Sequence, residues 1–398
     1  MKTFDLAKLF VFLAFCIACK PDRAALNDFS TPSQIPRTTD KLASTAQTSP
    51  IIEKIEPSLQ ILPPSDILPC PQFHTGFYYL FENALFQFSE CQSTLWIEEV
   101  ASSGVNIEDV LLFEEKLFVL TEKNLAVWDL SSKRGEIVYE FQEEIQWGGF
   151  APGTDSGKVF FFNTLEALPH NIREVYAYDI VTGTSQLLVT YPRGVHLIGY
   201  DESSELLYVV PFGQDPEIRE VHAIPIDGDD PSVLPVEGFG YVAQSDNGQW
   251  LATAAQKFVA LDEPLLPALN VYHVSGGQVS LYSSYSLPLN NVNNSGVSSL
   301  VWSAAPESFM FLINPTDPYA GATTADFILG SYKPEGDVIS TLLSITGEDL
   351  AILSVEPTSG NILLLDRTSG PYYYVDTSGK YVYELDLPYY VLFAGWSE

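Results

Sequence analysis

The sequence predicts an all-β fold, a β-propeller of seven blades closed by its own C-terminal strand. Three observations lead there: a composition suited to pleated sheets, a unit of four short apolar runs that recurs along the chain, and one apolar run left over at the end. Aromatic residues make up 13% of the 398-residue chain and charged residues only 18%, with many Val, Thr, Tyr and Phe. Such residues fit half-buried pleated surfaces better than helices.

The third unit shows the recurring pattern most clearly. Gln146-Trp147-Gly148-Gly149-Phe150 is followed by a Pro/Gly/Asp turn and then by Val159-Phe160-Phe161-Phe162. Next come Val175-Tyr176-Ala177-Tyr178-Asp179-Ile180, a turn at Gly183, and Gln186-Leu187-Leu188-Val189-Thr190-Tyr191. Four strands and their turns make one propeller blade. The second runs of successive units begin near Phe77, Leu117, Val159, Leu207, Leu251, Phe309 and Ile362, which gives seven units spaced 40 to 58 residues apart. Spacing this uneven would also fit six or eight blades. Glycines at 135, 183, 228, 276–277, 336 and 379 mark the tight turns between third and fourth runs. The first unit lacks an innermost run, and Tyr390-Val391-Leu392-Phe393-Ala394-Gly395-Trp396 is left without a unit. If that last run completes the first blade, the ring closes without open edges.

Ahead of the repeats, Lys2 and Lys8 precede the apolar run Leu9–Cys19, which is too short for a stable membrane span and reads as a signal peptide. Cys16-Ile17-Ala18-Cys19 resembles the lipobox of bacterial lipoproteins, with Cys16 where an aliphatic residue is usual. The resemblance implies a lipidated N-terminal Cys19 and a protein held at a membrane in the cell envelope by lipid alone. Several acyl chains hold stably where one binds marginally. Residues 20–65 are rich in Ser, Thr, Pro and Ala without apolar periodicity and read as a flexible tether, leaving 66–398 for the propeller.

The net charge of −32 belongs to the repeat region, since residues 1–60 hold seven Lys/Arg against six Asp/Glu. An acidic surface repels phosphate backbones and anionic headgroups, which argues against nucleic acid and against direct membrane binding. Cys70 and Cys91 are the cysteines outside the leader. In an exported chain such a pair most simply forms a disulfide, which would contribute roughly 3 kcal/mol on the chain-entropy model.

The turns Phe150–Val159 and Ser245-Asp246-Asn247-Gly248-Gln249-Trp250 resemble the Ser-Pro-Asp-Gly type repeats of bacterial WD40-like and TolB-like propellers. The resemblance implies the fold. It implies no particular activity, because propellers host many.

No nucleophile elbow, His-Glu-x-x-His, phosphate-binding glycine loop or Cys-x-x-Cys outside the leader is present, so the sequence names no catalytic residue, no metal ligands and no cofactor. The five histidines, at 74, 170, 196, 222 and 273, are too scattered to form a ligand motif by spacing. Asp227-Gly228-Asp229-Asp230 has calcium-binding chemistry but lies where a hairpin turn is required.

Loop lengths carry more. In units three to six the second and third runs are joined by long connections, near residues 164–173, 213–219, 257–268 and 315–325, and all second-to-third connections of a propeller emerge on one end. Loops on a rigid scaffold are where binding residues concentrate. The rim candidates are His170, Arg173, Asp215, Arg219, Asp262, Glu263, Asp317 and Tyr319. The expected function is a binding or scaffolding module for a protein or glycan. The alternative is a metal-dependent hydrolase or lyase with its site at the propeller axis.

Overall fold

The structure, a computed structural model, describes residues 62–397 except 71–75, 152–156, 166–171, 193, 212–219, 229, 235, 237–240, 258–265, 276–277, 287–295, 315–323, 369 and 379. Among the described residues there is no helix. After a short β1 (Ile67–Pro69), the strands form seven antiparallel blades. Blade 1 contains β2 (Phe77–Phe81), β3 (Ala84–Ser89) and β4 (Gln92–Ile97). Blade 2 is β5 (Ile107–Phe113), β6 (Lys116–Thr121), β7 (Asn124–Asp129) and β8 (Arg134–Glu140). Blade 3 is β9 (Trp147–Phe150), β10 (Lys158–Leu165), β11 (Ile172–Asp179) and β12 (Thr184–Tyr191). Blade 4 is β13 (Val195–Asp201), β14 (Leu206–Pro211), β15 (Val221–Pro225) and β16 (Ser232–Leu234). Blade 5 is β17 (Val242–Gln244), β18 (Trp250–Lys257), β19 (Leu266–Ser275) and β20 (Gln278–Ser286). Blade 6 is β21 (Gly296–Ser303), β22 (Ser308–Asn314), β23 (Ala325–Lys333) and β24 (Val338–Gly347). Blade 7 is β25 (Leu350–Val355), β26 (Ile362–Asp366), β27 (Tyr372–Asp376) and β28 (Tyr381–Leu385), and the chain ends in β29 (Leu392–Trp396).

Each blade is ordered from an innermost to an outermost strand, and β29 takes the innermost place of blade 1, antiparallel to β2. The expected closure is therefore present. The core explains why it holds. Alternate side chains of a second strand face opposite neighbours: Leu117 and Val119 of β6 pack toward blade 1, Phe118 and Leu120 toward blade 3. Repeated around the wheel, this gives seven apolar clusters, one in each seam, and the seam between blades 7 and 1 is filled like the rest by Phe77, Tyr79, Phe88, Leu363, Tyr372 and Tyr374. Removing apolar area from water in a closed ring of seams is the main stabilising contribution.

Two features go beyond the sequence reading. β1 runs parallel to β28 as a fifth, outer strand of blade 7, and just before it Pro64 bridges Ser344 of β24. The chain segment leading into the wheel thus lies on the outer edges of blades 6 and 7. Cys70 then bonds Cys91 in the β3–β4 turn of blade 1, with Cα atoms 5.9 Å apart. The expected disulfide is present, and it fastens this outer strap across the ring's closing seam. Because Glu90 and Cys91 both take positive φ, that turn is made without glycine.

The second feature is a repeated β-bulge. Five innermost strands carry one extra residue, namely Glu108, Ile198, Ser298, Leu353 and Ala394. The residue after each bulge meets the innermost strand of the next blade. Asp109 accepts the Phe150 amide, Ser299 Oγ accepts the Ile352 amide at 3.0 Å, and Ser354 Oγ accepts the Trp396 indole N–H at 2.9 Å. At the other two positions, Gly199 lies against Gln244 and Gly395 against Leu112, where a Cβ would come within 2.9 Å and 2.6 Å.

One turn glycine is reassigned. Gly135 lies in β8, not in the turn, and its missing side chain makes room for the Trp128 ring, which a Cβ would approach to 2.4 Å. Lys133 takes the positive φ of that turn instead. Gly183, Gly228 and Gly336 do occupy turns at positive φ, whereas residues 276–277 and 379 lie outside the described residues.

Candidate functional site

The antiparallel order brings every connection between second and third strands, and every connection between blades, to one end of the wheel. At that end the second and third strands are joined by 2, 2 and 5 residues in blades 1, 2 and 7, but by 6 to 10 residues in blades 3 to 6. The asymmetry expected from the sequence is present. His170, Asp215, Arg219, Asp262, Glu263, Asp317 and Tyr319 lie in those longer connections and outside the described residues, as does Cys19.

Arg173 is a correction. β11 begins at Ile172, so Arg173 is a strand residue and only 9% exposed. Its Nη1 donates to the carbonyl of Val195 at 2.7 Å, and its guanidinium lies over the rings of Phe162 (4.8 Å) and Trp147 (5.9 Å). Arg173 therefore ties blade 3 to the start of blade 4. The sequence placed it in the loop because its aromatic partners are remote along the chain, and a charge beside a loop reads as loop.

Among the polar groups that the described residues form at this end, two were not singled out by the sequence and stand over blades 2 and 7. Over blade 2, Asn106 donates to Glu122 Oε2 at 2.6 Å, and the Lys123 ammonium lies 3.3 Å from Glu144 and 3.8 Å from Glu122. Next to them in β5 are Glu108 and Asp109. Burial, reinforced by Glu122 and Asp109, pushes the Glu108 carboxyl up to about 7. Burial likewise raises Asp109 to about 6, partly offset by the amides of Phe150 (2.9 Å) and Val110 (2.8 Å) that bond its carboxylate. A carboxyl near 7 can give or take a proton at neutral pH. The only hint in the sequence is that the matching bulges hold Ile198, Ser298, Leu353 and Ala394, where β5 holds a charge.

Over blade 7, Arg367 Nη2 donates to Asp349 at 2.7 Å, and the buried Asp366 carboxylate accepts the amides of Glu348, Asp349 and Thr368. Asp366 is what shapes this turn; Arg367 and Asp349 remain half-exposed on it. Among the described residues no three His, Cys, Asp or Glu side chains come together in a way that could hold a metal ion.

No protein-family model matches the chain, and no curated relative does. Solved structures do match. The periplasmic gluconolactonase PpgL of Pseudomonas aeruginosa superposes with a TM-score of 0.51 at 12% identity, over 81% of this chain and 98% of that one. An oligogalacturonate lyase in complex with manganese gives 0.50 at 12% identity, over 78% and 82%. TolB of Acinetobacter baumannii gives 0.42 at 11% identity, over 77% of each chain. Likeness at such identities is likeness of fold.

Proposed function

We propose that the chain is an exported binding module, displayed at a membrane by lipid on Cys19, that receives a protein or glycan ligand on the end bearing the long connections. The observation that carries this reading is the lopsided rim: four adjacent blades extend their second-to-third connections to 6–10 residues, on a wheel whose seams are all packed. Connections of that length on a rigid frame are where recognition concentrates. Export is supported by the disulfide, which belongs to an oxidising compartment, and by the charged-then-apolar leader.

The test shortens each of the four connections to a two-residue hairpin turn, one at a time, and compares proteins captured from native envelopes. Loss of specific partners with the wheel still cooperatively folded supports the reading. An unchanged partner set for all four variants removes it. Cys19→Ser should release the protein from the membrane fraction; retention there would contradict the lipid anchor.

A second reading, a hydrolase or lyase working at the axis, is favoured by one observation. Glu108, beside Asp109 on an innermost strand, has the protonation balance of a general acid or base at neutral pH. A pH-dependent turnover lost in Glu108→Gln would replace the first reading with this one.

A further inference from the structure

A separate concavity of about 880 Å³ lies at the closing seam, where the strap β1 and the Cys70–Cys91 disulfide face the end of β28 and the residues after it. It is an open cleft, wide to solvent rather than enclosed. Its apolar lining includes Ile67, Pro371 and Leu387, and its formal charges are the exposed carboxylates of Glu384 and Asp386. Among the described residues its wall has no Lys, Arg or His.

Tyr389 stands at this wall and is held upright from both sides. Behind it Gly370, at φ +90°, leaves space that a Cβ would fill to within 2.2 Å of the ring. Beside it the Tyr390 ring lies 3.9 Å away between centroids at 64°, and the Tyr389 hydroxyl donates to that of Tyr390 at 2.9 Å. Tyr390 itself takes φ +62°, a conformation that a bulky residue adopts only under constraint. The hydrogen bond to the Tyr390 hydroxyl pushes the Tyr389 phenol up to about 12.

The face of an aromatic ring attracts a cation through its quadrupole, and Tyr389 brings one such ring to the wall. Carboxylates take an ammonium charge by hydrogen bonding, and an apolar strip accepts methylenes between charges. Among the described residues an anion would meet only carboxylates here, on a chain of net charge −32. A bare divalent ion would want more oxygen ligands than two carboxylates and an apolar wall provide.

We propose that this seam cleft binds a linear aliphatic polyamine, with ammonium groups at Glu384 and Asp386 and its methylene chain along Tyr389 and the strap. The cleft borders the short connection of blade 7, and the proposal does not depend on what the long connections of blades 3 to 6 receive.

The experiment is calorimetric titration of the full-length protein with spermidine in 150 mM salt, a concentration that screens diffuse surface attraction, roughly one Debye length being 8 Å. Saturable binding is expected. It should weaken at least tenfold in Glu384→Gln/Asp386→Asn, whose side chains are exposed, and severalfold in Tyr389→Ala. The control pair Glu140→Gln/Glu143→Gln, on the surface of blade 2, should stay within twofold. No binding by the native protein, or an equal loss in the control pair, overturns the proposal. So does choline, or a short lysine peptide, binding more tightly than spermidine, since either would assign the cleft to another cation.

Discussion

Oδ2 of Asp109 accepts the backbone N–H of Phe150 at 2.9 Å, so a carboxylate on the innermost strand of blade 2 holds the innermost strand of blade 3. Removing the acceptor leaves that amide without its partner, at a cost of about 1–3 kcal/mol. Asp109→Ala should therefore lower unfolding stability by that amount in urea titration. Asp109→Asn, which keeps a carbonyl acceptor, should lose less than half as much. Equal losses would show that the contact is packing alone.

The same neighbourhood sets a pH dependence. Glu108 and Asp109 bind protons more tightly folded than unfolded, at about 7 and about 6. Their stabilising contribution is complete below the ordinary carboxyl range and is lost as pH rises through 6 and 7. The melting temperature should fall between pH 5 and pH 8, and the fall should be shallower in Glu108→Gln/Asp109→Asn. Parallel curves for the two proteins would contradict this origin.

Asp337, at the turn between β23 and β24, accepts the hydroxyls of Ser283, Tyr285 and Tyr332. Two of these donors come from β20 of blade 5, so the turn locks blade 6 to its neighbour. Asp337→Ala should cost about 3 kcal/mol by chemical denaturation, because three hydrogen bonds to a charged acceptor are lost together. A loss under about 1 kcal/mol would mean that water replaces the carboxylate without penalty.

The disulfide joins the strap to blade 1 over a sequence separation of 21 residues. Cys91→Ser should lower stability by roughly 3 kcal/mol on the chain-entropy model. Reducing the native protein should reproduce the variant's midpoint. A reduced protein as stable as the oxidised one would show that β1 and β28 hold the strap unaided.

What the sequence revealed follows from burial. Second strands are covered on both faces, so Leu117-Phe118-Val119-Leu120 and its counterparts are continuous apolar runs, and their expected starts fall within one residue of the observed ones. β1 was invisible for the opposite reason. It is three residues long, half-exposed and next to Pro63 and Pro64, and it pairs only with a strand more than 300 residues later. The bulges left no mark either, because one extra residue changes no composition. Arg173 was misplaced since Phe162, Trp147 and Val195 reach it only through strand pairing and the seam between blades.

The claim on which the rest depends is that the final strand is the innermost strand of the first blade. Ending the chain at residue 388 removes β29 and with it the Ser354–Trp396 bond and the Phe393 and Trp396 rings from the last seam. Thermal unfolding followed by near-UV circular dichroism should then lose its cooperative transition, or show it lowered by more than about 10 °C, a shift that corresponds to several kcal/mol in a chain of this size. A sharp transition within about 2 °C of the full-length protein would contradict the closure.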